Sequence, residues 1–313
     1  MNILVTGGAG YIGSATVKRL VEENHTVITA CKSFSYKNKF VDKDAIFYEG
    51  DLLNLDFLDK IFSENKIDCV MHFAASKDAG ESMTNLEPYS NNIRSTLNVL
   101  DTMIKYNVKK IIFSSTGLVY GIPQEKIINE HHPTKPINYY AFSKLKCEEI
   151  IKWYSELKGI KYSILRYFNA AGDTGLNYSN EAKTIFSILG EIVSGERDKL
   201  VLNGNDHDTT DGTAVRDFIH VLDLVDAFIK CLELDSNEII NLGAGRGYSV
   251  LELAQEFERQ LGYEIKKEYG PRREGDVSFI VADNSKAVKL LDWNVKRTLS
   301  NIVKDVIEEY RKD

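Results

Sequence analysis

A glycine-rich segment near the start of the chain, TGGAGYIG over residues 6–13, constrains the fold more than any other feature. It follows an apolar run at residues 3–5 that predicts a buried strand, and it precedes residues 15–21, which have helical spacing. Glycines between a strand and a helix allow close backbone approach, and the helix N-terminus offers N–H groups to a pyrophosphate. Gly7, Gly10 and Gly13 therefore predict a dinucleotide-binding loop, with an ordinary tight turn as the alternative.

A tyrosine and a lysine four residues apart form the second informative motif. The spacing alone is unselective, because four tyrosines have it: Tyr106, Tyr140, Tyr154 and Tyr263. Tyr140 is distinguished by its setting, since a predicted strand runs into hydroxyl side chains at 114–116 and a helix is predicted to begin near Asn138. Open α/β sheets bind ligands at the carboxyl ends of their strands. Tyr140 and Lys144 would lie one helical turn apart, which favours acid–base catalysis over simple packing.

Length, charge and cysteine usage exclude several classes of protein. The 313 residues are 43% hydrophobic, enough for a large core, and the net charge of -7 argues against a nucleic-acid partner. No apolar run is long enough to span a bilayer, so we expect a cytoplasmic protein without a membrane partner. The cysteines form no Cys-x-x-Cys pair and have no histidine at metal spacing, which predicts free thiols and no structural metal at Cys31, Cys69, Cys147 and Cys231.

Strand-like runs alternate with helical patterns through the first half of the chain. The runs lie at residues 26–29, 45–48, 69–74, 110–113 and 162–165. This alternation predicts an α/β fold with a doubly wound parallel sheet of the Rossmann type. We expect this dinucleotide-binding domain over 1–168. Residues 169–313 would form mainly a smaller, mixed α/β substrate lobe, with some segments returning to the first domain.

At the level of whole motifs, the chain resembles the UDP-glucose 4-epimerases of the extended short-chain dehydrogenase/reductase superfamily. The motifs occur in the family's order along nearly the whole chain: TGGAGYIGS, EGDLLN, HFAASKDAGES, FSSTGLVYG, YAFSK, RYFNAAG, DGTAVRDFIHVLDL, NLGAG and PRREGD. DGTAVRDFIHV and PRREGD are far more specific than the glycine loop or the tyrosine–lysine pair. The resemblance implies an NAD-dependent isomerase with a UDP-sugar substrate, and it implies a homodimer.

The resemblance also assigns site residues. The implied catalytic residues are Thr116, Tyr140 and Lys144. The implied cofactor-binding residues are Gly7, Gly10, Tyr11, Ile12, Gly13, Cys31, Lys32, Asp51, Leu52, Phe73, Ala74, Ala75, Lys77, Asn92, Ser114, Tyr140, Lys144 and Tyr167. The implied substrate-binding residues are Ser115, Thr116, Tyr140, Asn169, Asn203, Arg216, Arg273, Asp276 and Ile280. Tyr140 would accept the C4 hydroxyl proton of UDP-glucose or UDP-galactose while hydride leaves C4 and later returns to the opposite face.

The chain departs from the family pattern at positions that bear on specificity. Cys31 stands where an acidic residue usually binds the adenosine ribose of NAD, so NADP is the alternative cofactor. Ile280 stands where a bulky aromatic would exclude an N-acetyl group from the sugar's C2 position, which predicts activity on the N-acetylated pair as well. Asn203 stands where an aromatic residue often lies near the uracil.

Other readings of the same motifs remain open. A nucleotide-sugar 4,6-dehydratase would share the oxidation, but it needs a carboxylate pair where this chain has Gly117 and Leu118. Other nucleotide-sugar oxidoreductases would share the cofactor loop. A dinucleotide-binding sensor without turnover would explain Cys31, but not an intact set of Thr116, Tyr140 and Lys144.

Overall fold

The computed structural model describes residues 1–32, 41–176, 184–272 and 276–311. In chain order its strands are β1 (Asn2–Thr6), β2 (Thr26–Cys31), β3 (Ile46–Glu49), β4 (Cys69–His72), β5 (Lys110–Thr116), β6 (Ile127–Ile128), β7 (Lys161–Tyr167), β8 (Asn169–Ala171), β9 (Leu200–Asn203), β10 (Val215–His220), β11 (Glu238–Leu242), β12 (Gly247–Ser249), β13 (Lys267–Gly270) and β14 (Phe279–Ala282). Its α-helices are α1 (Tyr11–Glu22), α2 (Leu55–Glu64), α3 (Glu87–Lys105), α4 (Tyr139–Lys158), α5 (Ile185–Val193), α6 (Val221–Lys230), α7 (Val250–Leu261), α8 (Ser285–Leu291) and α9 (Leu299–Tyr310).

A seven-stranded sheet forms the centre of the fold, in the order β11-β7-β5-β4-β1-β2-β3. β1 pairs in parallel with both β2 and β4, and β4 pairs in parallel with β5. The chain order of the strands reverses between β1 and β4, which is where doubly wound sheets bind their ligands. This confirms the predicted α/β class. The predicted strand at 69–74 was too long, because β4 ends at His72.

The chain divides into two compact units. The first comprises Met1–Gly121, Thr134–Arg166 and Val225–Ile240, and the second comprises Ile122–Pro133, Tyr167–Leu224 and Asn241–Asp313. The first unit includes the late segment Val225–Ile240. Of the range 1–168 expected for the first domain, residues 167–168 lie in the second unit, and so do residues 122–133. These residues join the second unit because β6 pairs in parallel with β14, with Ile127 opposite Val281.

Each unit has its own apolar core. In the first, central strand residues such as Leu4, Val70 and Ile111 pack with α2, α3 and α4 residues in one buried cluster. In the second, a mixed sheet runs β12-β10-β14-β6, with β8 also on β10 and a separate pair β13-β9. Helices α5, α7 and α9 bury their apolar faces in a second cluster. No helix in the described part of the chain combines the length and apolarity needed to cross a membrane.

Candidate active site

The glycine loop joins β1 to α1 in a conformation that only glycine adopts easily. Gly7 has a φ of +74°, and a side chain there would also meet the backbone nitrogen of Ala74 at 2.8 Å. A Cβ on Gly13 would lie 2.2 Å from the Gly7 carbonyl oxygen. Gly10 is the N-cap of α1, and no side chain caps this helix end. The loop therefore presents backbone at a helix N-terminus, as a pyrophosphate site requires.

The end of β2 has a different chemistry from a typical NAD site. The Cys31 sulfur accepts a hydrogen bond from the backbone N–H of Ala9, at 3.2 Å, so the thiol lies against the glycine loop. Lys32 forms an ion pair with Asp51, with Nζ and Oδ2 3.0 Å apart. Two residues predicted to contact the cofactor thus contact each other. Leu52, beside Asp51, is buried.

The segment after β4 is held by a buried asparagine. Asn92 accepts a hydrogen bond from the N–H of Ser76 at 2.9 Å, and its amide group donates to the Ser76 carbonyl at 3.0 Å. The same amide group donates to the hydroxyl of Ser143 on α4, at 3.2 Å. Of the other predicted residues here, Phe73 and Ala74 are half-buried, and Ala75 and Lys77 are exposed. Asn92 therefore ties the segment after β4 to the helix of Tyr140.

Helix α4 begins where the sequence predicts it, because Asn138 caps it. The Asn138 side chain accepts a hydrogen bond from the N–H of Ala141 at 2.8 Å, and Tyr140 follows in the first turn. Lys144 is 2% exposed, and its ammonium lies 4.5 Å from the centre of the Phe113 ring on β5. Burial lowers the pKa of Lys144 to about 8, although the nearby Cys147 and Glu148 oppose this shift. A buried ammonium one turn from Tyr140 is suited to stabilising a phenolate.

The three hydroxyl residues at the end of β5 do not share one role. Thr116 accepts a hydrogen bond from the N–H of Leu118 at 3.2 Å, and a hydroxyl with this bond still has a proton to donate. Side chains alternate along a strand, so Ser114 and Thr116 share one face and Ser115 lies on the other. The Ser115 hydroxyl donates to the buried carboxylate of Glu148 at 2.5 Å. Because its hydroxyl is bonded to Glu148, Ser115 is not favoured as a substrate contact, contrary to the expectation from the sequence. The alternation of side chains along β5 was the sequence signal that separates Ser115 from Ser114 and Thr116.

Two of the predicted substrate-binding residues in the second unit form an ion pair. Arg216 on β10 contacts Asp276, with Nη2 and Oδ1 2.5 Å apart. Ile280 lies directly beside Arg216 in the parallel pairing of β10 with β14. Paired positions of adjacent strands carry their side chains on the same face of the sheet. The side chains of Ile280 and Arg216 therefore lie on one face of the sheet. A cavity of about 490 Å³ borders this region, and its lining includes Arg272 and Asp276.

The remaining predicted residues are less informative. Asn169 donates to the Asp217 carbonyl at 3.1 Å, Asn203 ends β9, and Tyr167 ends β7 half-buried. Arg273 lies outside the described residues. The described parts of the chain hold no group of three or more His, Cys, Asp or Glu side chains arranged for a metal ion.

Asp217, in the DGTAVRDFIHV motif, forms hydrogen bonds with the backbone of the NLGAG motif. Its buried carboxylate accepts hydrogen bonds from the N–H groups of Ala244, Gly245 and Ala282, at 2.6, 3.1 and 3.1 Å. Burial raises the pKa of Asp217 to about 6, and these three bonds oppose the shift. A Cβ on Gly243 would lie 2.4 Å from the same carboxylate, so glycine is needed there. Asp217 therefore supports the strand of Arg216 by fixing the backbone of the neighbouring segments.

Comparison with known proteins shows the family to which the chain belongs. The NAD dependent epimerase/dehydratase family model matches residues 3–243. A UDP-glucose 4-epimerase from Lactobacillus helveticus is 40% identical over 306 residues, which cover 95% of this chain and 92% of that protein. The crystal structure of UDP-glucose 4-epimerase from Bifidobacterium longum in complex with NAD+ and UDP has a TM-score of 0.91 and 36% identity, covering 100% of this chain and 99% of its own. The UDP-Glc/GlcNAc 4-epimerase from Campylobacter jejuni has a TM-score of 0.86 and 36% identity, with the same coverage.

Proposed function

The chain belongs to the UDP-glucose 4-epimerases of the NAD-dependent epimerase/dehydratase family, and from this membership we propose that it interconverts UDP-glucose and UDP-galactose. The observation that carries the proposal is the buried Tyr140–Lys144 pair, in a chain similar over its whole length to an epimerase solved with NAD+ and UDP. The protein is thus an NAD-dependent enzyme of the isomerase class.

The residues of the first unit fit NAD as a resident cofactor. The cradle around Gly7 and Gly13 leaves no room for a Cβ, the uncapped start of α1 suits a pyrophosphate, and Asn92 fixes the segment after β4. Bound NAD would supply the acceptor for the C4 hydride and return it to the sugar. The chain's own residues would hold the cofactor and move the proton.

Proton transfer falls to Tyr140, Lys144 and Thr116. Tyr140 would accept the proton of the C4 hydroxyl as a phenolate, and the Lys144 ammonium would stabilise that anion in a buried environment. Thr116 would orient the C4 hydroxyl or relay its proton. The guanidinium groups of Arg216 and Arg273 would hold the diphosphate, with Asp276 beside Arg216 on the nucleotide's ribose.

The dehydratase alternative finds no support at the end of β5. Gly117 and Leu118, the positions at which elimination needs a carboxylate pair, lie in the short 3₁₀ turn that Thr116 caps. Mass spectrometry of the nucleotide released from the purified protein, followed by incubation with UDP-galactose, tests the assignment. We expect release of NAD and formation of UDP-glucose. A 4-keto-6-deoxy product would instead establish a dehydratase, and bound dinucleotide without turnover would establish a sensor.

Ile280 leads to a prediction about the sugar. Its place beside Arg216, and its smaller size than tyrosine, support a pocket that also admits a C2 N-acetyl group. We expect Ile280→Tyr to lower activity on UDP-N-acetylglucosamine and UDP-N-acetylgalactosamine by about 100-fold through steric exclusion, while the glucose pair changes only a few-fold. Kinetics with all four sugars measure this.

The matched control for this prediction is Ile280→Val, which shortens the same side chain and should keep activity on both pairs. If the unaltered enzyme turns over UDP-galactose well but neither acetylated sugar, another group closes the pocket and the prediction is wrong.

We also propose that the enzyme is a homodimer and works in the cytoplasm. Helix α4 carries a row of exposed apolar side chains on one face, with Trp153 61% and Leu157 67% exposed and Phe142 also exposed. Such a row on one helix is typical of an interface. Free thiols at all four cysteines support a reducing compartment.

The dimer proposal predicts the effect of a charge at Trp153. We expect Trp153→Glu to raise the dimer dissociation constant by about 100-fold. In a twofold-symmetric dimer both subunits contribute Trp153 to the interface, so the substitution removes two buried indole rings. Light scattering over a dilution series measures the dissociation. Tyr263→Glu, which adds the same charge at a site 49% exposed in the other unit, is the control. A dimer of unchanged strength in the Trp153 variant would place the interface elsewhere.

A further inference from the structure

The first unit contains a buried ion pair that the proposed mechanism does not use. Glu148 on α4 and Arg166 on β7 are 0% and 3% exposed. The guanidinium contacts the carboxylate in a forked arrangement, with Nε 3.0 Å from Oε1 and Nη2 2.6 Å from Oε2. Burial disfavours the charge on Arg166, but its bonds to Glu148 raise its pKa overall. The guanidinium therefore keeps its charge in the interior, opposite the carboxyl group of Glu148.

The partners of this pair lie on both sides of Thr116 in the sequence. Ser115, immediately before it, donates its hydroxyl proton to Glu148 at 2.5 Å. Tyr120, at the end of the 3₁₀ turn after it, accepts a hydrogen bond from Nη1 of Arg166 at 3.0 Å. The guanidinium carbon also lies 4.9 Å from the centre of the Tyr120 ring. The backbone before and after Thr116 is thus anchored to one buried pair.

Glu148, one member of this ion pair, lies on α4, the helix that also carries Tyr140 and Lys144. Glu148 follows Lys144 by four residues on α4, which places it one turn further along the same face. The pair therefore connects the strand and turn that carry Thr116 with the helix that carries Tyr140 and Lys144.

Stability alone does not account for such a pair. A buried ion pair loses so much hydration that well-packed apolar side chains of similar volume are often as stable or more stable. What the ion pair adds is a fixed geometry, which apolar side chains would not supply. Glu148 fixes Ser115 and Arg166 fixes Tyr120, in addition to the contact between the two charged groups.

We propose that the Glu148–Arg166 ion pair is a positioning element that holds Thr116 in register with Tyr140 and Lys144 for proton transfer. The inference rests on the proposed epimerase function. Glu148 and Arg166 act through Ser115 and Tyr120 and do not touch the sugar.

Ser115→Ala tests the inference with the ion pair intact. We expect kcat for UDP-galactose to fall about tenfold or more, because small displacements of a catalytic group are costly, while KM and the bound NAD content stay unchanged. The rate at which UDP-galactose reduces the bound cofactor in a single turnover should fall with kcat. Tyr120→Phe removes the anchor on the other side of Thr116 and should give the same pattern, so it decides the matter if Ser115→Ala does not fold.

Ser163→Ala is the matched control. Ser163 is a buried serine on the neighbouring strand β7, and its hydroxyl bonds the Cys231 thiol and not the Glu148–Arg166 ion pair. It should lose thermal stability as Ser115→Ala does but keep kcat. An unchanged kcat in Ser115→Ala would overturn the inference, as would equal losses of kcat in the two variants. A raised KM with constant kcat would overturn it too and return Ser115 to the substrate site. Failure of the unaltered enzyme to convert UDP-galactose would instead refute the proposed function.

Discussion

Replacing Tyr140 with phenylalanine is expected to lower turnover of UDP-galactose by about 1000-fold or more. The substitution removes only the oxygen that accepts the C4 hydroxyl proton, while the ring, which packs edge-on against Tyr89 with centroids 6.3 Å apart, is retained. The variant should therefore fold normally and keep its NAD. Steady-state rates, the melting temperature and the nucleotide content measure the three parts of this expectation.

The chain supplies its own controls in other tyrosines followed by lysine. The Tyr154 hydroxyl donates to Asp101 at 2.7 Å, and burial together with this carboxylate raises the pKa of Tyr154 to about 12. The Tyr106 hydroxyl donates to the Asp59 carbonyl at 3.3 Å. Both hydroxyl protons are already engaged by these acceptors, so Tyr154→Phe and Tyr106→Phe should change activity only a few-fold. A Tyr140→Phe enzyme with rates near those of the unaltered protein would contradict the mechanism.

The parts of the site that the sequence predicts well depend on short-range signals. The start of α4 follows from the Asn138 cap, and the glycine loop follows from its place between β1 and α1. The start of α7 has an equally local signal, since Ser249 and Glu252 bond each other's backbone N–H groups. In each case the residues that determine the structure lie within one or two turns of chain.

The features that the sequence did not predict depend on contacts between distant residues. β6 is only two residues long, and it joins the second unit because it pairs with β14 much later in the chain. The Arg216–Asp276 and Glu148–Arg166 pairs likewise join residues far apart in the sequence. No local pattern distinguishes a charge that forms such a pair from one that faces water, so spacing alone could not assign these partners.

Cys31 carries the second prediction with a large expected effect, which concerns the cofactor. An aspartate at the end of β2 favours NAD twice, because it accepts hydrogen bonds from the ribose hydroxyls and repels a 2′-phosphate. A thiol does neither. A charge-assisted hydrogen bond contributes about 1.5–3 kcal/mol, so we expect this enzyme to bind NAD roughly 10- to 100-fold more weakly than a variant with the acidic residue. It should also discriminate poorly against NADP.

The structure refines the expectation through Lys32 and Asp51. Because Lys32 is paired with Asp51 at 3.0 Å and both side chains are partly exposed, its ammonium can reach a 2′-phosphate only at the expense of that pair. An exposed pair of this kind costs little to break, about 0–1 kcal/mol. The ion pair therefore reduces NADP binding only slightly, and NAD remains the expected cofactor because the chain belongs to an NAD-dependent family.

Titration of the apo-protein with NAD and with NADP measures the affinity for each dinucleotide and so the preference between them. Cys31→Asp should strengthen the binding of NAD and weaken the binding of NADP. Cys31→Ser is the matched control, because its hydroxyl retains an acceptor for the Ala9 N–H without adding charge, and its cofactor preference should stay unchanged. NADP binding at least tenfold tighter than NAD, by the unaltered protein, would show that the phosphate contact outweighs the others. If Cys31→Asp alters neither affinity, residue 31 faces the glycine loop in the complex as well, and the ribose is recognised by other groups.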